Sequence, residues 1–357
     1  MKGITTMAQK QNVVIGIDTH KDFHVAAGVD ELGRVVGTLK FGVNRNGSKT
    51  LLAWASSQGE LLRAGVEGTG SYGANLCRFL VQADIEVIEV NRPNRQLRRA
   101  KGKTDFVDAE AAARVALAYE QPCVPKSQDG YVEAIRALRV ARNSAVKART
   151  QVINQIKSLL VNTSEELNIK TRGLNNKKLI GHLGGLRPSN HSVESATKLA
   201  LRSLAKRAGY LSKEIASLDH ELAMLIETNA PRRLLDLPGV GIDVAGALLV
   251  AVGDNPERMR SESSFAALCG VSPVCASSGK TQRVRLNRGG NREANKALWR
   301  IAMVRLSHDQ RTKDYIAKKT TEGKSNKEAI RCLKRYLARE VYSTLVQSTP
   351  GEWLVAA

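Results

Sequence analysis

Val13-Val14-Ile15-Gly16-Ile17-Asp18 is an unbroken apolar run that ends on an acid, the pattern of a short, buried central strand. Phe23–Val29 and Arg34–Phe41 follow at hairpin spacing, with Gly33 in the turn between them. Asn44–Ser57 then switches to helical spacing, with Leu51, Leu52 and Trp54 as its apolar members. Leu61–Glu67 reads as a fourth strand, Tyr72–Ala83 as a helix and Ile85–Val90 as a fifth strand. A basic loop leads from there into an Ala-rich helix over Thr104–Tyr119.

The resulting order is β-β-β-α-β-α-β-α, three meandering strands followed by two more, each reached through a helix. That is the order of an RNase H-like α/β domain, and few chains open with two hairpins before the first helix. In this order the fourth strand lies beside the first, so Asp18 and Glu67, which end those strands, can meet. Asp105 and Asp108 are three apart on a helix and share one of its faces. Four acids gathered this way repel one another unless cations are present. A pair of Mg²⁺ or Mn²⁺ ions relieves the repulsion and suits phosphoryl transfer. Each acid also has a plain structural role open to it, as a turn residue or as a partner of the helix dipole. Asp22, Glu86 and Glu89 are weaker candidates, since Glu86 and Glu89 fall on opposite faces of the fifth strand.

Charge separates this region from the rest. The 357 residues carry 55 Lys+Arg against 34 Asp+Glu, a net charge of +21. Residues 1–120 hold 16 basic and 13 acidic side chains, leaving 39 against 21 for the remaining 237. The strongly basic remainder points to a polyanionic partner, most simply nucleic acid. The first third uses its acids for something other than repelling phosphates.

From Tyr131 to Ser164 Leu138, Ala145, Val152 and Leu159 recur every seven residues. Leu204, Ala208, Leu211, Ile215, Leu218, Leu222 and Leu225 alternate in steps of four and three. Such narrow seams make a coiled coil, either an antiparallel pair within one chain or a dimerisation arm. Asn168–Asn190, with five Gly and Pro positions, reads as a loop between them. The expected domains are residues 1–125, α/β; 126–230, a helical arm; and 231–357, mostly helical. In the last, helices are expected over Glu293–Ser307, Lys313–Thr320 and Lys327–Val346. Leu237-Pro238-Gly239-Val240-Gly241 before an apolar helix reads equally as a phosphate-binding helix-hairpin-helix element or as a Gly-stabilised connection.

The second chemical candidate is Ser277-Ser278-Gly279, followed by Lys280, Arg283, Arg285, Arg288 and Arg292. Cations at that density beside a serine can hold a scissile phosphate while the hydroxyl attacks phosphorus. No histidine lies near in sequence to act as base. Arg92, Arg95, Arg98, Arg99, Lys101 and Lys103 form a second basic cluster for nucleic-acid phosphates. Met1–Asn12 is polar, without the apolar core of a secretory signal, and no apolar run is long enough to span a bilayer. Five cysteines without a CxxC pair argue for free thiols and a cytoplasmic location.

Gly16-Ile17-Asp18-Thr19-His20-Lys21, Val66-Glu67-Gly68-Thr69-Gly70 and Lys103-Thr104-Asp105-Phe106-Val107-Asp108-Ala109 resemble the insertion sequence 110 family of transposases, which includes relatives of the Piv invertase. Leu237–Gly241, Gly270–Pro273 and Ser278-Gly279 through Asn287–Arg292 look like the C-terminal transposase domain of the same family. The resemblance spans nearly the whole chain; Met1–Thr6, read as an upstream start with Met7 the alternative, lies outside every motif. It implies a RuvC-like DEDD domain whose acids map to Asp18, Glu67, Asp105 and Asp108. It also implies a catalytic serine that best matches Ser278, with Ser277 adjacent. Further implications are double-stranded donor and target DNA, a structured noncoding bridge RNA as guide, and a homo-oligomer, a dimer that becomes a tetramer in the synaptic complex. In such an assembly the serine of one protomer serves the acids of another. The rival readings are a metal-dependent junction-resolving nuclease with no serine intermediate, and a non-catalytic nucleic-acid-binding protein.

Overall fold

The computed structural model describes residues 11–90, 104–118, 123–189, 192–279 and 284–346. It divides into two compact units, Met1–Gln128 with Asn255–Arg258, and Asp129–Asp254 with Met259–Ala357.

The first unit is mixed α/β. Its strands are β1 (Asn12–Thr19), β2 (Phe23–Asp30), β3 (Val35–Gly42), β4 (Glu60–Glu67) and β5 (Glu86–Val90), in the spatial order β3-β2-β1-β4-β5. β1 pairs antiparallel with β2, and β2 with β3, whereas β1–β4 and β4–β5 are parallel. The helices are α1 (Arg45–Gln58), α2 (Ala74–Gln82) and α3 (Asp105–Leu117). Asn44 caps α1 by accepting from the Gly47 amide at 2.8 Å, and Thr104 caps α3 through the Val107 amide at 3.3 Å.

Alternation along the strands sorts the side chains onto two faces. Val13, Ile15 and Ile17 of β1 and Ala64 and Val66 of β4 pack with Leu51 and Ala55 of α1 and Leu76 and Leu80 of α2. Val14, Val29 and Ile88 face the other way and pack with Ala113 and Ala116 of α3. The positions between them on β1 and β4 are glycines, and these decide where α3 can lie.

The second unit is mostly helical. α4 (Tyr131–Val161) is followed by α5 (Glu165–Thr171) and α6 (Asn176–Gly184), and α7 (Val193–Asn229) runs back along α4. The heptad seam is therefore an antiparallel pair within the chain. Ala208, Ile215 and Leu222 of the seam are buried, whereas Leu204, Leu211, Leu218 and Leu225 are half-buried along its edge. Near one end of the pair Val132, Ile135, Leu222 and Ile226 enter the main core. Toward the other, Val152 and Ile156 meet Leu201, Ala205 and Ala208.

Asn168–Asn190 is not the loop its glycines suggest. Much of it is helical, with Leu179 and Leu183, like Leu167 just before it, buried against the far end of the pair. Gly181 and Gly184 face open space inside or at the end of α6, so they misled as helix breakers.

The chain continues through α8 (Arg232–Leu235), α9 (Ile242–Val252), α10 (Glu262–Leu268), the short strands β6 (Val274–Cys275) and β7 (Val284–Arg285), α11 (Arg292–His308), α12 (Gln310–Thr321) and α13 (Asn326–Val346). α9 is the central core helix, with Val244–Leu249 and Ala251–Val252 all buried. In the turn before it Gly239 has φ +86°, and a Cβ there would touch the Ile301 backbone at 3.3 Å. The Pro238 carbonyl accepts from Arg305 Nε at 2.8 Å, so part of this turn is engaged by α11. None of the five cysteines forms a disulfide, and among the described residues no helix is long and apolar enough to cross a membrane.

Candidate active site

Gly16 stands two residues before Asp18, and Gly65 two residues before Glu67, on neighbouring parallel strands. By strand alternation each glycine shares a face with its acid. A Cβ on Gly16 would fall 2.0 Å from the Ala113 nitrogen and 2.2 Å from the Ala109 oxygen. One on Gly65 would meet the Ala112 oxygen at 2.7 Å and the Ala116 Cβ at 2.8 Å. The backbone of α3 thus lies directly on two bare strand positions, and its contacting residues Ala109, Ala112, Ala113 and Ala116 are fully buried. This close seat brings the first turn of α3, with Asp105 and Asp108, to the strand ends that carry Asp18 and Glu67.

The resulting geometry is tight. His20 Nε2 lies 3.1 Å from Asp18 Oδ2 and 3.4 Å from Asp105 Oδ1. One potential ligand atom from each of the three falls within 4.8 Å of the others. Asp18 and Asp108 are buried, whereas the Asp105 side chain is 41% exposed. Burial pushes the Asp18 carboxyl above the usual aspartate range; Asp108 and Asp105 push it further, and His20 opposes them. Glu67 is half-buried on the same face, and its carbonyl accepts from Thr19 Oγ1 at 2.8 Å. Glu67 and Asp108 stand outside the three-residue group. Carboxylate oxygens with one imidazole nitrogen, in a site where negative charge is under-compensated, form a donor set that fits a divalent cation.

His20 carried no assigned role in the sequence reading. Its signal is present there, since Asp18 and His20 are two apart at a strand end and so share a face. Its neighbour His24 is buried, and burial lowers its pKa. His24 Nδ1 accepts the His20 amide proton at 3.2 Å, which fixes the turn after β1. The weaker acid candidates are engaged elsewhere: Glu86 pairs with Arg63 at 3.1 Å and Glu89 with Arg258 at 3.2 Å. Asp22 is exposed.

Ser278 belongs to the second unit. It is exposed, next to Gly279 at φ +53°, on the segment that leads from β6 toward β7. Val274 pairs with Arg285 and Cys275 with Val284, a hairpin too short to read from periodicity. The base of this arm is held firmly. Asn287 Nδ2 donates to the Ala267 carbonyl at 3.2 Å, and Asn291 caps α11 by accepting from the Glu293 and Ala294 amides at 3.0 Å. Asn295 Nδ2 donates to the Cys269 carbonyl at 2.8 Å and receives Lys334 Nζ on its oxygen at 2.6 Å. A Cβ on Gly290 would sit 2.3 Å from the Gly270 nitrogen, so the two backbone segments cross in direct contact. Arg285, Arg288 and Arg292 are exposed, and none pairs with a carboxylate among the described residues. Arg92, Arg95, Arg98, Arg99, Lys101, Lys103, Lys280 and Arg283 lie outside the described residues.

Known proteins match both units. A family model described as Transposase, the DEDD transposase of IS110 elements, matches residues 15–165, and the model of the Transposase IS116/IS110/IS902 family matches residues 231–317. The chain belongs to the IS110 family of transposases. It is 27% identical over 254 residues to the transposase for insertion sequence element IS1328 of Yersinia enterocolitica, covering 69% of this chain and 73% of that protein. It is 26% identical over 282 residues to the transposase for IS1111A of Coxiella burnetii, covering 77% and 72%. An uncharacterized 42 kDa protein of insertion element IS900 in Mycobacterium paratuberculosis is 28% identical over 156 residues, 41% of this chain and 38% of that one. In this IS110 transposase the first match contains all four acids and His20, and the second contains Ser278 with its arginines.

Proposed function

We propose that this IS110 transposase excises and inserts its element at a divalent-metal carboxylate centre, with Ser278 as nucleophile and a structured RNA as guide. The observation that carries the reading is the gathering of Asp18, His20 and Asp105 within 4.8 Å, seated by the glycine contact with α3. A sheet with two antiparallel and two parallel pairings in the order β3-β2-β1-β4-β5 supports reading the first unit as RNase H-like.

Asp18, Glu67, Asp105 and Asp108 would hold Mg²⁺ or Mn²⁺. Bound there, such ions supply activation of a hydroxyl and stabilisation of a leaving oxygen. The chain's own groups do the rest. Ser278 Oγ forms a bond to a DNA phosphorus as the bond from that phosphorus to a deoxyribose oxygen breaks. The hydroxyl proton passes to a carboxylate of the site, and the departing deoxyribose oxygen takes up a proton in its turn. Arg285, Arg288 and Arg292 neutralise phosphates on either side. Double-stranded donor and target DNA are the substrates. A homo-oligomer, dimeric and then tetrameric at synapsis, places the serine of one copy against the acids of another.

The test is denaturing electrophoresis of a stalled reaction, with protein joined to DNA through serine as the expected product. If Ser278→Ala and Ser277→Ala both still form the joined product or recombine, the serine mechanism fails; nicked DNA with free ends from the wild type favours a metal-dependent nuclease. Sequencing the nucleic acid that co-purifies with the protein tests the guide, and finding no enriched structured RNA removes it from the proposal.

A further inference from the structure

We infer that His20 is a nitrogen ligand of the carboxylate cation site and biases that site toward transition-metal dications such as Mn²⁺ over Mg²⁺. The inference rests on the metal-centre reading above and adds a fifth residue to its four acids.

Three observations converge on His20. First, position: it lies two residues beyond Asp18 at the end of β1, so the strand period turns it to the face that α3 covers. Second, restraint. Its backbone amide is tied to His24 Nδ1 at 3.2 Å, and its ring packs against Phe23 with centroids 5.2 Å apart. The backbone at His20 and one side of its ring are thus positioned before any ligand arrives. Third, the reactive atom: Nε2 is shielded from solvent and lies between Asp18 Oδ2 and Asp105 Oδ1, yet makes no hydrogen bond of acceptable geometry. An imidazole whose purpose was to donate a proton to one of these carboxylates would align with it. The nitrogen and one carboxylate oxygen from each aspartate lie within 4.8 Å of one another, close enough to share one cation.

The chemistry of such a set differs from that of four carboxylates. Imidazole nitrogen is a borderline donor that favours later first-row dications, whereas Mg²⁺ prefers oxygen and keeps its waters. One nitrogen among oxygen donors leaves Mg²⁺ able to bind through the acids while strengthening its competitors.

The test is made on the full chain, freed of nucleic acid at high salt and loaded with Mn²⁺ alone. Pulsed electron paramagnetic resonance of the bound Mn²⁺ reads directly whether a nitrogen is coordinated, and Mg²⁺ competition gives the selectivity. The expected result is nitrogen coupling in the wild type that is absent from His20→Ala and from the closer mimic His20→Asn. Loss of an outer-sphere partner already weakens metal binding about tenfold, so Mn²⁺ affinity should fall at least that far, and further than Mg²⁺ affinity. Circular dichroism confirms that the variants are folded, and the wild-type signal stands whether or not they are. If the wild type shows no nitrogen coupling while Asp18→Asn abolishes Mn²⁺ binding, His20 is only a counter-charge; the inference is overturned and the metal centre survives. If Asp18→Asn and Asp105→Asn leave Mn²⁺ binding intact, the metal-centre reading itself fails and takes His20 with it.

Discussion

Replacing Gly16 by alanine adds one methyl group, and the geometry makes it among the most damaging small changes available to the first unit. The new carbon would stand 2.0 Å from the Ala113 nitrogen, 2.2 Å from the Ala109 oxygen and 2.7 Å from the Ala112 carbonyl carbon. Ordinary contact begins at 3.4 Å, so α3 must retreat by about 1.4 Å at this point. All three obstacles are helix backbone and cannot rotate aside. Overpacking of a core typically costs about 1–3 kcal/mol, and this case belongs at the top of that range. With about 2–4 °C lost per kcal/mol, the melting temperature of the unit should drop by roughly 10 °C. The chemical effect is larger, because the same retreat carries Asp105 and Asp108 away from Asp18. A displacement of about 1 Å in a catalytic constellation lowers rates by about a hundredfold. Thermal unfolding, Mn²⁺ binding and an excision assay on Gly16→Ala therefore should all deteriorate together at a temperature where the variant is still folded. Gly65→Ala, with its tightest approaches at 2.7 and 2.8 Å, should be milder in each. Gly181→Ala is the control: nothing lies within 4 Å, and a helical glycine replaced by alanine gains about 0.5–1 kcal/mol. Wild-type stability and excision in Gly16→Ala, or a harsher result in Gly65→Ala, would refute the argument that this contact seats the site.

Other outcomes follow from the same contacts. Asp18→Asn removes a buried charge that burial and two neighbouring aspartates disfavour, so in a chelator it should raise the melting temperature even as recombination is lost. Asp243 holds Arg139 at 2.7 Å and also contacts Arg142 and Arg300; burial alone would raise its pKa, but the three guanidiniums hold it below the usual range. Its contribution is therefore present above the unfolded aspartate pKa of about 4 and disappears as pH falls through the lower folded value. Asp243→Asn should cost about 3 kcal/mol at pH 7, read by urea unfolding, and the gap to wild type should close in acid. Asn295→Ala leaves the buried Lys334 amine and the Cys269 carbonyl without their shared bridge, and about 2 kcal/mol of stability should go with it. Replacing Arg285, Arg288 or Arg292 by Gln should each reduce the salt dependence of nucleic-acid affinity by about one unit of slope; an unchanged slope would remove that residue from the interface.

Much of the first unit was legible because its strands are marked twice, by apolar runs and by glycine at turns. The run Val13–Ile17 and its hairpins fixed the position of Asp18, and Thr104 before two acids announced the start of α3. What stayed hidden depended on contact between distant segments. Gly16 and Gly65 look like weak strand residues until α3 is laid across them. His20 was visible as a period-two partner of Asp18, but nothing in the sequence says how near Asp105 comes. The helix over Asn176–Gly184 was misread because its glycines face open space, and its leucines, like Leu167 of the short helix before it, pack only once the long pair is formed. The β6–β7 hairpin has two residues per strand, below the length at which alternation carries a signal.

The paired helices α4 and α7 also have a mechanical consequence. At about 1.5 Å per residue they measure roughly 45 and 55 Å, somewhat more than one turn of duplex DNA. They are clamped by large side chains toward each end, while Ala145 and Ile215 are the main buried apolar groups in the middle. A rod gripped at its ends and lean at its waist bends at the waist. Because its seam repeats every seven residues, its span can change only in steps of about 10 Å if the same faces are to stay together. The arm is in effect a notched gauge, set in whole heptads.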